Sequence, residues 1–442
     1  MTTTRTLAKG FEVLNDTHRT KLNNNDLIIG PSGCGKTSGY VIPNILGTYG
    51  SYVIADTKGN LYRKLASRLE AEGYHVRTLD FVEPGNSCGY NPLRYIRKTR
   101  NGRYDESDIC RIASALCPVD KNDNEKFWYF RAQDTIAALI AYVLETYPDN
   151  KQNLTEVSIL SKSLGVLVID SEGRYVDTPA FRAVRKIFEL GAYDPMSFAY
   201  RKIESLRSVM VTERTWPCIL QFVHMALSIV DMAGYEKMSK NRKSIFLPDI
   251  GREKTALFVN ISDTDRSCDK LIDLFYTQLF QQLCSTADKS PASRLDVPVR
   301  IILDDFATNV YIPDFDKLIS VIRSREISVS IIIQSLTQLD ALYDHYRART
   351  IINNCDHLLY LGGQDLETAH YISERANKPL ENILYMPLDR MMILERGQQP
   401  VFSERVMPEE TEPDIWDEFA DIEEFLLGGY DKNRKEDRSI PA

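Results

Sequence analysis

The chain of 442 residues exceeds one typical domain, and its 43% hydrophobic content is that of a globular protein with a sizeable core. A formal net charge of −8 excludes a protein coated in basic surface, so any nucleic-acid contact has to be local, as on the inside of a ring. Eight scattered cysteines with no C-x-x-C pair predict reduced thiols rather than zinc or disulfides, and no run of eighteen apolar residues predicts a membrane span.

In chain order, residues 1–26 are polar and read as a lead-in. Leu27, Ile28 and Ile29 then form a short buried strand, followed by GPSGCGKTS. Gly30, Gly35, Lys36 and Thr37 stand in the P-loop spacing G-x-x-x-x-G-K-[ST]. The chemistry needs this arrangement because a triphosphate carries its charge on several oxygens. A glycine-rich turn into a helix supplies backbone N–H groups aimed at one point, here over the loop Gly30, Pro31, Ser32, Gly33, Cys34, Gly35 and Ser38, in which Pro31 alone has no N–H and serves to shape the turn. Lys36 reaches the β- and γ-phosphates, and Thr37 offers a hydroxyl to Mg²⁺. The plainer reading of the same residues is a glycine turn capping an ordinary helix.

SYVIADTKG (51–59) predicts a second strand, residues 60–72 a helix with Leu61, Leu65 and Leu69 on one face, and 74–81 a third strand. This alternation is that of an α/β fold with a mostly parallel sheet and helices on both faces. From 93 to 250 the pattern turns helical, and strands resume at 255–262, 299–306, 328–335 and 357–363, with a hairpin over 391–406. The expected organisation is therefore an α/β core over 1–92 and 251–407, an all-helical insertion over 93–250, and an acidic tail over 408–442. Ten carboxylates and no Lys or Arg fall within 408–431, a composition that is usually solvated. Trp416, Phe419, Phe425 and Leu426 interleave with them, which leaves a docking peptide open.

A P-loop also needs a carboxylate at a strand end to hold Mg²⁺ and a polar group to position water. Asp304 and Asp305 follow the apolar run Ile301, Ile302, Leu303, and Gln334 ends the next strand. Arg323 and Arg325 lie between those strands. They suit a group that reaches a neighbouring subunit's nucleotide, and equally a solvated helix end. Arg94, Arg97, Lys98, Arg100 and Arg103, with Tyr95 and Tyr104 beside them, form one candidate surface for sequence-independent DNA contact. Lys237, Lys240, Arg242 and Lys243 form a second; either patch also reads as an ordinary solvated face.

These residues together resemble the conjugative DNA-transfer ATPases, the TraG/TraD group of type IV secretion coupling proteins. The likeness runs from about residue 5 to 390 and is carried by TRTLAKGFEVLNDTHRT, GPSGCGKTSGYVIPNIL, SYVIADTKGNLYRKLA, GYNPLRYIR, FVNISDTD, IILDDF, SVIRSREISVSIIIQSLTQL and IINNCDHLLYLGG in that order. It implies a RecA-like core with a helical insertion, a homohexameric ring, ATP and Mg²⁺ as cofactors, and transfer of DNA with its relaxase to a secretion channel. By motif position it makes Lys36 and Thr37 the phosphate and metal pair, Asp304 the magnesium carboxylate, Gln334 the sensor and Arg323 the trans-acting finger. Two departures stand out. Asp305 occupies a position where the family usually has Glu, and only a short polar segment precedes the P-loop where the family usually has a membrane anchor. The expected location is cytoplasmic, with recruitment to the inner face of the membrane by a partner. Export of protein effectors, or a weakly hydrolysing nucleotide-switched scaffold for a relaxase, are the alternative functions.

Overall fold

The structure is a computed structural model and describes residues 4–57, 59–119, 125–241, 243–306 and 311–406. The acidic tail read at 408–442 and Arg242 lie outside the described residues. The strands are β1 (Thr4–Ala8), β2 (Phe11–Leu14), β3 (Asp26–Ile29), β4 (Ser51–Asp56), β5 (His75–Asp80), β6 (Thr255–Asn260), β7 (Val299–Leu303), β8 (Ile327–Ile333), β9 (His357–Tyr360), β10 (Arg390–Glu395) and β11 (Val401–Glu404). The chain divides into two compact units. One comprises Met1–Tyr49, Arg63–Glu72 and the chain from Val329 onward; the other comprises Gly50–Tyr62 and Gly73–Ser328.

In the first unit the strand order is β11-β10-β9-β3-β8. β3 runs parallel to both β8 and β9, whereas β9, β10 and β11 pair antiparallel. β3 is buried along its whole length, which is why its sequence is apolar without alternation. Parallel pairing puts the carboxyl ends of β3, β8 and β9 at one edge, and ligands of open α/β sheets bind beyond that edge.

The polar lead-in is not a simple approach to β3. β1 and β2 form an antiparallel hairpin, with Leu7 and Ala8 buried and Arg5 only 4% exposed. The reason is a buried network. Arg5 donates to both carboxylate oxygens of Asp26 at 2.8 and 2.9 Å and to Asn15 and Asn24 at 3.0 and 3.1 Å. The Tyr40 hydroxyl donates to Asp26 and pairs with Ser330 Oγ at 2.8 Å, and His357 Nδ1 lies 2.8 Å from Arg5. A charge this deep is tolerated only when paired and hydrogen-bonded, so the Arg5 guanidinium ties the N-terminal hairpin to β3 and β9, and through Asp26 the Tyr40 hydroxyl extends the network to Ser330 of β8.

In the second unit the order is β7-β4-β6-β5, all parallel. Its remaining chain is mostly helical: α1 (Glu106–Leu116), α2 (Lys126–Thr146), α3 (Leu154–Lys162), α4 (Pro179–Tyr193), α5 (Phe198–Met210), α6 (Thr215–Leu227), α7 (Ala233–Lys240) and, after β6, α8 (Asp269–Lys289). α2 is the hub. Every residue from Thr135 to Leu144 is buried, so it is apolar on all sides, and α5 and α6 pack on it. Glu145, in its last turn, accepts from the Phe198 amide at 3.1 Å and from the Ser197 hydroxyl, which fixes the start of α5. Among the described residues no single helix is long and apolar enough to cross a membrane.

Candidate nucleotide site

The P-loop leaves the carboxyl end of β3. The Gly30 amide donates to the Ile333 carbonyl of β8 at 3.1 Å, and the Leu361 amide after β9 donates to the Ile29 carbonyl at 2.8 Å. These bonds bring the loop, Gln334 and the Leu361–Gln364 turn to the same edge of the first unit. Gly33 and Gly35 have φ of +76° and +84°, the left-handed region in which glycine is at home. Gly30 is required for another reason: an added Cβ would stand 2.6 Å from Cys34 Sγ and 2.9 Å from Leu361 Cβ. After Lys36 the helix opens with a π-turn over Thr37–Val41 before continuing as Ile42–Leu46. Such wide turns concentrate at functional sites.

Lys36 is 7% exposed, and its ammonium donates to the Gly30 and Pro31 carbonyls at 2.8 and 2.9 Å. Arg405 is also 7% exposed. It donates to the Cys34 carbonyl at 3.0 Å, to the Arg390 carbonyl at 2.8 Å and to the Leu361 carbonyl. Burial lowers its pKa. Neither cation has a carboxylate partner among the described residues. Two buried positive charges whose hydrogen bonds go to carbonyls, with Asp389 acting on Arg405 only through space, favour an anion at this place. Arg405 lines a cavity of about 660 Å³ together with Ser38, Gly362, Gly363, Gln364, Met386 and Pro31 to Gly35, the loop that Lys36 directly follows.

Arg405 is a site residue that the sequence reading lacked. Val406 runs so close to the loop helix that a Cβ on Gly39 would stand 2.7 Å from the Val406 carbonyl. The terminal hairpin thereby delivers Arg405 under the P-loop. The glycine pair Gly362 and Gly363, directly after a strand, was the one available signal for this wall of the cavity. Replacing Arg405 with Gln strands buried carbonyls. The expected cost is about 2 kcal/mol of stability with roughly tenfold weaker nucleotide binding, checked by thermal melts with and without nucleotide.

Gln334 follows β8, and its amide donates to Gln338 Oε1 at 3.0 Å. The remaining candidates belong to the second unit. Asp304 directly follows β7, is 9% exposed and accepts from the Asp305 amide at 3.1 Å. Asp305 has φ of +50°, a conformation that costs a non-glycine residue about 1–2 kcal/mol and that clusters at functional positions. Arg325 is held by Asp288 at 2.8 and 3.2 Å, while Arg323 opens the short turn Arg323–Arg325.

The two basic patches are partly neutralised. Arg97 clasps Asp108 at 2.8 and 2.9 Å, Arg103 clasps Asp194 at 2.8 and 2.9 Å, and the Lys98 ammonium sits 4.7 Å over the Tyr104 ring. Arg94 and Lys98 line a cavity of about 510 Å³, and neither Arg94 nor Arg100 bears an ion pair among the described residues. In the second patch Lys240 bonds Glu236 at 2.7 Å.

Comparison with known proteins adds to this geometry. Residues 7–165 match the family model described as type IV secretory system conjugative DNA transfer, and residues 298–378 match the TraM recognition site of TraD and TraG. VirD4 of Rhizobium radiobacter is 24% identical over 361 residues, covering 79% of this chain and 47% of that protein. The chain thus spans about half the length of the curated relatives it matches. The solved conjugative coupling protein TrwB, in complex with sulphate, superposes with a TM-score of 0.62 at 14% identity, covering 86% of this chain and 85% of that one. TrwB with the ATP analogue ADPNP gives a TM-score of 0.61 at 14% identity, covering 88% and 86%. These likenesses establish a RecA-like P-loop NTPase fold, with a mostly parallel sheet and a helical region. The chain belongs to the TraG/TraD/VirD4 family of type IV secretion coupling proteins.

Proposed function

We propose that this chain is an ATP-hydrolysing motor that delivers DNA with its relaxase to a type IV secretion channel, working as a homohexamer. The observation that carries the nucleotide half is the pair of buried cations held by P-loop carbonyls, Lys36 on Gly30 and Pro31 and Arg405 on Cys34, neither in a carboxylate ion pair among the described residues. TrwB has been solved with ADPNP and with ADP and Mg²⁺, which supports the same ligands here. Thr37 and, through water, Asp304 would hold Mg²⁺, which neutralises charge between the β- and γ-phosphates. Within that reading Lys36 draws the γ-phosphate and Gln334 orients the attacking water. Asp305 accepts its proton, and Arg323 stabilises developing charge on a neighbouring subunit's nucleotide. The division into an α/β core over 1–92 and 251–407 with a helical insertion over 93–250 belongs to the same proposal. Arg94, Arg97, Lys98, Arg100 and Arg103 are the proposed DNA contacts, with Arg94 and Arg100 foremost because they carry no ion pair among the described residues.

The test is phosphate release with and without DNA. DNA should raise the rate, and mixing Arg323→Ala with Lys36→Ala subunits should restore part of the activity lost in each through mixed interfaces. Turnover indifferent to DNA would reject the motor. It would favour a nucleotide-switched scaffold for a relaxase, a reading that the carboxylate-locked Arg97 and Arg103 support. Because Asp305 is one methylene shorter than the family's usual Glu, Asp305→Glu should raise the hydrolysis rate severalfold. An unchanged or lower rate removes Asp305 from water activation.

A further inference from the structure

The helix that leaves the P-loop is fastened to the N-terminal hairpin at two points. The first is Asn44, which lies in the stretch Ile42–Leu46 and is 6% exposed. Its side-chain oxygen accepts from the Thr6 amide at 3.0 Å, and its nitrogen donates to the Thr6 carbonyl at 2.8 Å. Asn44 thus pairs with β1 as a neighbouring strand would. Both bonds go to backbone, so the side chain at position 6 plays no part in them. The same nitrogen donates to the Tyr40 carbonyl at 2.7 Å, which engages both amide hydrogens. Asparagine is a poor helix former, and here these bonds are what it contributes.

The second point is Tyr40, which is 3% exposed and sits inside the π-turn Thr37–Val41. Its hydroxyl meets Asp26 and Ser330, and Asp26 is clasped by Arg5 of β1. The two anchors therefore end on consecutive residues of one strand, Arg5 and Thr6.

Between them they hold a turn with one residue too many. The Ile42 amide donates to the Thr37 carbonyl, five positions back instead of four. Relaxation of that turn to the regular α form would rotate Thr37 against the helix that follows by about 100°. Thr37 supplies the hydroxyl proposed for Mg²⁺. Lys36 and the loop glycines precede the turn, so its relaxation would spare them.

We propose that Tyr40 and Asn44 are positioning residues for the metal–nucleotide complex: by holding the π-turn against β1 they set the Thr37 hydroxyl, and so couple docking of the N-terminal hairpin to binding of magnesium with ATP. This rests on the reading of the loop as an ATP and Mg²⁺ site. Neither side chain has to touch nucleotide. Coupling of this kind is reciprocal, so a ligand that uses Thr37 tightens the hairpin by the factor with which the docked hairpin tightens the ligand.

Binding of a fluorescent ATP analogue, mant-ATP, to the full chain with Mg²⁺ and with EDTA tests it. Asn44→Leu should weaken the magnesium complex about tenfold and the metal-free nucleotide less than about twofold. Tyr40→Phe should do the same, and it keeps the ring in the core should Asn44→Leu fail to fold. Thr6→Ala should change neither affinity, because both Asn44 bonds survive it. In the unmodified chain ADPNP with Mg²⁺ should slow amide exchange over residues 4–14 about tenfold, and Asn44→Leu should lose that slowing. Equal weakening with and without metal, or none in either, reduces the two residues to a part in stability and overturns the proposal. So does hairpin exchange that ignores bound nucleotide. If the unmodified chain binds neither form, the ATP reading itself falls and this proposal falls with it; binding by the unmodified chain with indifferent variants overturns this proposal alone.

Discussion

Lys36→Ala should abolish nucleotide-dependent behaviour while leaving the fold intact. In the unliganded loop the ammonium bonds only the Gly30 and Pro31 carbonyls, at 2.8 and 2.9 Å. Those bonds contribute little, about 1 kcal/mol net, because a cation buried to 7% exposure with no carboxylate partner among the described residues is itself costly. Removing the charge therefore relieves one cost as it removes two bonds, and the melting temperature without ligand should move by only a few degrees. With nucleotide the balance reverses. The γ-phosphate loses its point charge, and one preorganised donor of this kind is worth about 100-fold or more in rate. Wild-type chain in ATP and Mg²⁺ at a hundred times the dissociation constant should gain about 2.7 kcal/mol, and Lys36→Ala should gain close to none. Paired melts with and without nucleotide read both effects. Equal nucleotide stabilisation in the two proteins would remove Lys36 from phosphate binding and, with it, the reading of the cavity as a triphosphate site.

The P-loop was legible because its function is local. Eight consecutive residues supply the turn, the amides, the ammonium and the hydroxyl, so spacing alone identifies them. Strands β4 to β9 were legible from their apolar runs for the same reason. What escaped is long-range. β3, β4 and β5 follow one another in sequence, yet β3 pairs with β8 and β9, and β4 with β6 and β7. Order along a chain does not encode order across a sheet. Arg405 escaped because it is one of several arginines in a terminal hairpin. Only the approach of Val406 to Gly39 makes it part of the loop's wall. Arg5 escaped most completely. In TRTLA it reads as an outward polar residue of an exposed lead-in, and its partners Asp26 and His357 lie 21 and 352 positions away.

That same arginine sets the largest stability effect expected of any single change outside the loop. Asp26→Ala leaves the Arg5 guanidinium, whose side chain is 2% exposed, facing His357 with no negative charge. Removing one member of a buried pair costs about 3–5 kcal/mol, which for a unit of this size lowers the melting temperature by roughly 10 °C. Tyr40 loses its acceptor at the same time, so the effect reaches the π-turn that follows Lys36. Arg5→Met with Asp26→Leu should be less harmful than Asp26→Ala alone. Two apolar side chains of similar volume leave no orphan charge, although Asn15, Asn24 and Tyr40 still lose partners. A double-mutant cycle on melting free energy isolates the coupling, which should exceed about 2 kcal/mol. A cycle that closes to within about 0.5 kcal/mol would show that the pair is incidental. The hairpin would then be held to β3 by the burial of Leu7 and Ala8 rather than by charge.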